Sequence, residues 1–286
     1  MGEGTIAANG ITLWYETVGD AGDPALILIM GLGEQGIVWP TAFCERLAAG
    51  GHYVIRFDNR EVGLSQWFDE DATYTYEDMA GDVVGLLDAL GIAKAHVVGV
   101  SMGGAIAQFV AVRHLTRVLS LTSISSHPYG ATDTPPAGLQ APRVSVMDLV
   151  GGPVLETREG RVTKAVEQLW RPLWGAVPFD EAAVRAQVES SYDRAYRPEA
   201  VARQAAAGQR TPSRVEGLRR LTAPTLVIHG SADPLVPPDR GDATAALIPG
   251  ARLLLIEGMG HCQPVGYGDE VINAVLQHTA TPALAT

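Results

Sequence analysis

Cysteine is scarce in this 286-residue chain, which has only Cys44 and Cys262, with no Cys-x-x-Cys pair and no Cys/His cluster. Two thiols make no disulfide framework, so both are expected to be reduced, and no metal centre is expected. Positive charge is short as well: 21 Lys and Arg stand against 32 Asp and Glu, for a net charge of -11 and a pI near 5.0. That balance argues against nucleic acid or an anionic membrane surface as a partner. Long apolar runs are missing. Ala25 to Met30 is the longest aliphatic stretch, far below the roughly 20 residues a membrane-spanning helix needs. Met1-Gly2-Glu3-Gly4 has neither a basic n-region nor an apolar h-region, so the expected location is the cytoplasm. Asp69-Glu70-Asp71, with Glu77 and Asp78, lacks the ligand pattern of a calcium loop and reads as a solvated acidic surface. Internal repeats are absent, and only the tail from Thr279 to Thr286 looks disordered.

What remains is enough chain for one large domain, or a domain carrying an insertion. Ile11 to Val18 alternates like an exposed strand. Ala25 to Met30, Tyr53 to Phe57, Ala95 to Val98, Val118 to Ile124, Pro224 to His229 and Ala251 to Ile256 read as further strands. Helical patterns fall between them, near Trp39 to Ala49, Tyr76 to Leu90, Pro238 to Leu247 and Asp269 to His278. Strands alternating with helices predict an α/β protein with a mostly parallel sheet flanked by helices on both faces. The alternation breaks between about Ser126 and Arg214, where Val162, Val166, Leu169, Trp170 and Leu173, then Val184, Val188, Tyr192 and Tyr196, follow helical spacing. We therefore divide the chain into a core over 1–125 and 215–286 and a helical cap over 126–214.

Gly99-Val100-Ser101-Met102-Gly103 is the one Gly-x-Ser-x-Gly in the chain, and it follows an apolar strand and precedes a helix-compatible run. A serine at such a strand-to-helix turn is a nucleophile elbow. Small residues are needed on either side because strand and helix backbones crowd there. Serine needs a base, and the base needs an orienting carboxylate, in chain order acid and then histidine. Asp233 stands in the loop after the strand ending at His229, and His261 in the loop after the strand ending at Ile256. All three fall at the carboxyl ends of strands, where open parallel sheets carry their chemistry. His96, His229, His52, His114 and His278 read as packed or solvated histidines, while His127 opens the insertion and is a candidate for lining the pocket. An oxyanion hole needs two backbone N–H groups. Met102 supplies one by position, and Leu32, in the loop Met30-Gly31-Leu32-Gly33, is the candidate for the other.

With these motifs the chain resembles the α/β-hydrolase family from about residue 10 to 278. The resemblance rests on the elbow, on Asp58-Asn59-Arg60 leading to Gly63 and Ser65, and on the Asp233-Pro234 and Gly260-His261 loops. Within the family it is most similar to the aclacinomycin methylesterase group. The resemblance implies an eight-stranded sheet with one antiparallel strand and a cap between strands six and seven. The chain departs from the common pattern in having Met30-Gly31 where His-Gly often stands, followed by the polar Glu34 and Gln35.

The expected activity is hydrolysis of a carboxylic ester with no cofactor and no metal, acting on a small-molecule ester, with catalytic Ser101, Asp233 and His261. Gly31, Gln35, His127, Trp170 and Trp174 are candidates for contact with substrate, although cap aromatics serve packing more often than pockets. Lactone opening, C–C hydrolysis and perhydrolysis share the same site chemistry, and a ligand receptor with little turnover is a rival of a different class. The insertion holds ten basic and ten acidic side chains over 128–213. It therefore offers no net field to an ionic ligand, and a bulky, uncharged ester is the expected substrate.

Overall fold

A computed structural model describes residues 2–69, 71–153, 155–261 and 264–280. Cys262 and most of the tail expected to be disordered lie outside the described residues. Cys44 is a free, fully buried thiol, and burial pushes its pKa up to about 12.

The chain opens with a hairpin of β1 (Gly2–Ala8) and β2 (Ile11–Val18), joined at Asn9-Gly10. Both turn residues have positive φ, 49° and 78°, as the tight turn between twisted antiparallel strands requires. β3 (Ala25–Ile29), α1 (Thr41–Ala49), β4 (Tyr53–Phe57), α2 (Tyr76–Ala89), β5 (Ala95–Val100), α3 (Met102–Arg113) and β6 (Val118–Ile124) then alternate. Five short helices and a π-helical turn follow before the sheet resumes. They are α4 (Val146–Val150), α5 (Arg158–Lys164), the π turn Ala165–Trp170, α6 (Arg171–Leu173), α7 (Glu181–Arg194) and α8 (Pro198–Arg210). α9 (Val215–Leu218), β7 (Thr225–Gly230), α10 (Asp239–Leu247), β8 (Arg252–Ile256) and α11 (Pro264–Thr279) complete the order.

The eight strands form one sheet in the order β1-β2-β4-β3-β5-β6-β7-β8. β2 runs antiparallel to both of its neighbours, and every pair from β4 through β8 is parallel. The expected α/β-hydrolase architecture, with its single reversed strand, is borne out. β3, β5 and β7 are buried along their whole length, as parallel strands covered by helices on both faces must be. α2 and α3 pack on one face, around Met79, Leu86, Ile106 and Phe109. α1 and α11 pack on the other, around Phe43, Leu47, Ile272 and Val275. α2 starts at a capping box, in which the Thr75 hydroxyl accepts from Asp78 N–H and the Asp78 carboxylate accepts from Thr75 N–H. Among the described residues no helix is long and apolar enough to cross a membrane.

Candidate active site

The turn from β5 into α3 places Ser101 at φ 55° and ψ -119°, a conformation a non-glycine residue holds only when its surroundings compel it. The compulsion is visible on either side. A Cβ on Gly99 would stand 2.1 Å from the Gly103 carbonyl oxygen, and a Cβ on Gly103 would stand 2.2 Å from the Ile29 carbonyl oxygen. The strand and helix backbones are thus in contact where the turn forms, and Ser101 projects from its crest.

The loop after β7 carries Asp233, fully buried at its side chain, and the loop after β8 carries His261. His261 Nε2 lies 2.9 Å from Ser101 Oγ, and His261 Nδ1 lies 2.8 Å from Asp233 Oδ2. The other carboxylate oxygen, Oδ1, accepts hydrogen bonds from the Leu235 and Val236 amides at 2.9 and 2.8 Å. Burial alone would raise the Asp233 carboxyl. The attraction of His261 and hydrogen bonds from His229, His261 and the Val236 amide overcome it and hold Asp233 well below the usual carboxylate range. Leu173 of α6 fixes the histidine loop from behind, since His261 N–H donates to its carbonyl at 2.8 Å. The three residues singled out from the sequence, 132 and 28 positions apart in turn, are therefore brought within hydrogen-bonding reach of one another.

The loop of Gly31 and Leu32 runs beside the serine, and a Cβ on Gly31 would lie 4.0 Å from Ser101 Oγ. Met102 is the first residue of α3, so its N–H has no partner within the helix. Among the described residues the amides of Leu32 and Met102 donate to no protein acceptor. Two unspent donors therefore border the hydroxyl.

Ser101 and His261 open onto a cavity of about 120 Å³. Its walls are aliphatic and come from the loop after β3 (Met30, Leu32), from α4 (Val146, Leu149), from the π turn (Leu169) and from α8 (Val201). Glu34 lines it too, and burial pushes its carboxyl up to about 7.

Of the residues expected to contact substrate, Gly31 lines this cavity and the others lie elsewhere among the described residues. Gln35 is turned away towards the end of α7, where its amide donates to the Ser191 and Ala195 carbonyls at 2.7 and 2.8 Å and its oxygen accepts from Arg194. Trp170 and Trp174 are 2% and 3% exposed and pack in the second core cluster, with Trp174 Nε1 donating to the Pro178 carbonyl. His127 is exposed and stacks on Tyr129. Gln35, Trp170 and Trp174 share a cause, since a large or multiply bonding side chain finds its partners among the helices between β6 and β7 before it reaches the cavity, whereas His127 stays at the surface.

His229, expected to be a packed or solvated histidine, is packed but also sits beside Asp233. It is fully buried at the end of β7, its Nε2 lies 2.8 Å from the Val236 carbonyl, and the same nitrogen stands 3.5 Å from Asp233 Oδ2. The available signal was its position four residues before Asp233 at a strand end. The Asp58-Asn59-Arg60 motif proves to be a buried polar brace. Asp58 accepts from the Gly36 and Leu64 amides and from Arg194 of α7, Asn59 donates to the Met30 carbonyl, and Arg60 pairs with Asp82 through two hydrogen bonds. The brace holds both the loop after β3 and the end of α7. Among the described residues no three His, Cys, Asp or Glu side chains are grouped as metal ligands.

An eight-stranded, mostly parallel sheet with a serine elbow, and an acid and a histidine after its last strands, defines the α/β-hydrolase class, and the chain belongs to that family: the family model for the alpha/beta hydrolase fold matches residues 24–265. Among curated proteins the chain is similar to rhodomycin D methylesterase DauP of Streptomyces sp. (strain C5), with 34% identity over 96% of this chain and 97% of the relative. It is equally similar to rhodomycin D methylesterase DnrP of Streptomyces peucetius, with 34% identity over 96% and 97%. The expected likeness to the methylesterase group agrees with both. Among solved structures, the enol-lactonase of Burkholderia xenovorans LB400 aligns with a TM-score of 0.75 at 24% identity, over 97% of this chain and all of the other. At that identity the likeness speaks for the fold alone.

Proposed function

We propose that this protein is a cofactor-free serine hydrolase that cleaves a carboxylic ester, of which the methyl ester of an apolar acid is the best-supported kind. The carrying observation is the unbroken chain Ser101 Oγ to His261 Nε2 at 2.9 Å and His261 Nδ1 to Asp233 Oδ2 at 2.8 Å, opening onto a cavity. Ser101 Oγ attacks the ester carbonyl while His261 Nε2 takes its proton, and Asp233 holds the imidazole with its proton on Nδ1. The carbonyl oxygen becomes an oxyanion, to which the amides of Leu32 and Met102 are free to donate. As the tetrahedral intermediate collapses, the bond to the alcohol breaks, and His261 returns the proton to the leaving oxygen. A water molecule, deprotonated by the same nitrogen, then releases the acid and restores Ser101.

The preference for a methyl ester is supported by the two relatives named methylesterases, which align over nearly their whole length. The aliphatic cavity supports an uncharged acyl group. The helices between β6 and β7 act in this reading as a cap that keeps water from the acyl-enzyme. The test is a panel of p-nitrophenyl esters, a methyl ester and a lactone, run beside fluorophosphonate labelling. We expect hydrolysis of esters and labelling of Ser101 alone, lost in Ser101→Ala. Labelling that persists in Ser101→Ala would remove the reading, and preferred turnover of the lactone would replace the substrate class.

A further inference from the structure

Glu34 is out of place. The cavity over Ser101 is walled by side chains such as Met30, Leu32, Leu149, Leu169 and Val201, and apart from Ser101 and His261 the carboxyl of Glu34 is the one polar side chain among its described lining residues. The loop delivers it there by a turn in which Glu34 N–H donates to the Gly31 carbonyl at 3.3 Å, so the side chain follows directly on the segment beside the serine. No hydrogen bond or ion pair engages that carboxyl among the described residues. Its neighbour Gln35, by contrast, has every polar atom matched by α7 and the residue after it. The side chain is half-buried, and a carboxyl crowded by apolar walls without a partner is costly. Such a group persists in an apolar pocket where a ligand completes it.

We propose that Glu34 is a specificity-determining residue that pairs with a hydroxyl group on the substrate, so that the protein selects a hydroxylated, uncharged ester over the plain ester of the same size. The inference rests on the ester-hydrolase reading and deepens it. A carboxyl that stays protonated up to about pH 7 offers both an O–H donor and a carbonyl acceptor. A hydroxyl does the same, and the two pair with both functions satisfied. An ammonium group would require an ionised Glu34 and would bring a second charge out of water into an aliphatic chamber. A substrate carboxylate would meet the same chamber with a like-charged partner as Glu34 ionises.

The experiment compares kcat/KM for methyl phenylacetate with that for its three ring-hydroxylated isomers and for an aminomethyl analogue, in the wild type, Glu34→Gln and Glu34→Leu. We expect at least one hydroxylated isomer to exceed the parent ester by about tenfold or more in the wild type. That ratio should fall to about one in Glu34→Leu, mainly through KM, and be largely kept in Glu34→Gln, which preserves a donor and an acceptor. Calorimetric binding of the same esters to Ser101→Ala, with and without Glu34→Leu, reads the preference without turnover. An equal ratio in the wild type and Glu34→Leu overturns the proposal, as does preference for the aminomethyl analogue or for none of the isomers. Failure of the wild type to hydrolyse any ester, or to be labelled at Ser101 by a fluorophosphonate, overturns the ester-hydrolase reading instead, and the binding comparison then still decides the role of Glu34.

Discussion

Replacing Asp233 by asparagine tests the site with the least change of shape. The outcome follows from which atoms surround the side chain. Oδ1 is held by two backbone donors, Leu235 N–H at 2.9 Å and Val236 N–H at 2.8 Å. In Asp233→Asn the amide oxygen must face those donors, because an NH2 group there would oppose two N–H bonds. The NH2 group is then forced to the Oδ2 side, where it donates to His261 Nδ1. The imidazole responds by carrying its proton on Nε2, the nitrogen 2.9 Å from Ser101 Oγ. A protonated Nε2 cannot accept the hydroxyl proton, so the base is lost while the packing is kept. The expected loss in kcat is roughly a thousandfold or more, about 4 kcal/mol or greater in the barrier. His261→Ala should lose as much, since the three residues act as one unit.

The assay is steady-state hydrolysis of a p-nitrophenyl ester, with thermal unfolding as the control for folding. The control also carries a pH signature. Asp233 is depressed in the folded protein, so its contribution to stability is present above the unfolded-state value near 3.8 and is lost as pH falls through the lower folded value. Any stability gap between wild type and Asp233→Asn should therefore be widest at neutral pH and close on strong acidification. Turnover within a few-fold of wild type would refute the reasoning, because some other carboxylate would have to orient His261. Among the described residues none but Asp233 is hydrogen-bonded to it.

Arg194→Ala should destabilise the protein by about 3 kcal/mol, because it strips the one side-chain cation paired with Asp58 among the described residues, a carboxylate with no exposure whose pKa burial already raises; a fall in Tm that Arg194→Lys partly restores is the check. Glu34→Gln should gain stability over the wild type as pH rises. Burial pushes the folded carboxyl up to about 7 from its ordinary value of 4.5, so ionisation costs the native state progressively between those values. The variants should unfold alike at pH 4 and differ by on the order of 2 kcal/mol at pH 8, read by denaturant titration, and a gap that is equal at both pH values would refute the assignment.

The Ser101–Asp233–His261 constellation was legible because each of its residues is announced locally. Ser101 has flanking glycines that the backbone contacts demand, and Asp233 and His261 each follow an apolar strand. The first strand was not legible in the same way. Gly2–Ala8 has no apolar alternation, since it is an exposed edge whose pairing is decided by the Asn9-Gly10 turn and by the register of β2. That dipeptide was the available signal. α8 was missed because its buried face is Ala200, Gln204 and Ala207, and Gln204 is buried for its hydrogen bonds to Gly33 N–H and the Arg60 carbonyl, not for apolarity. Glu34 and Gln35 show the limit most sharply. They are adjacent and similar in size, yet one faces the cavity and the other the cap. Only the positions of Arg194, Ser191 and Ala195, some 160 residues away, decide which.

Substrate size is where the expectation from sequence and the geometry pull in different directions. A long insertion rich in Trp and Tyr led to a bulky ester, whereas the cavity over Ser101 is about 120 Å³. The aromatics explain the difference: Trp170 and Trp174 are buried in the core cluster on the α1 and α11 side of the sheet, and Tyr192 and Tyr196 pack against each other, tilted by 37°, at 4.6 Å with Arg161 against the Tyr196 ring. None of them walls the cavity. A bulky acyl group then has to displace part of the wall, and the wall is not fastened evenly. α7 and α8 are tied to the core by Arg194 on Asp58, Arg203 on Glu61 and Gln204 on Gly33 and Arg60. α4, which gives Val146 and Leu149, makes no side-chain hydrogen bond to the core among the described residues; it is capped within its own first turn by Ser145 and Asp148, and the chain just before it is held by the Arg143 and Val144 amides donating to the Pro234 carbonyl. A substrate that opens α4 gains apolar contact with Val146, Leu149 and Leu169, which is lost when the acyl group is truncated. Across acetate, hexanoate and an aromatic methyl ester, kcat/KM should therefore rise with acyl size. Leu149→Asp, which sets a charge in that wall, should flatten the series by lowering the large esters more than acetate. Acetate as the best substrate by more than tenfold would show that α4 stays closed and that the 120 Å³ chamber is the whole acyl site.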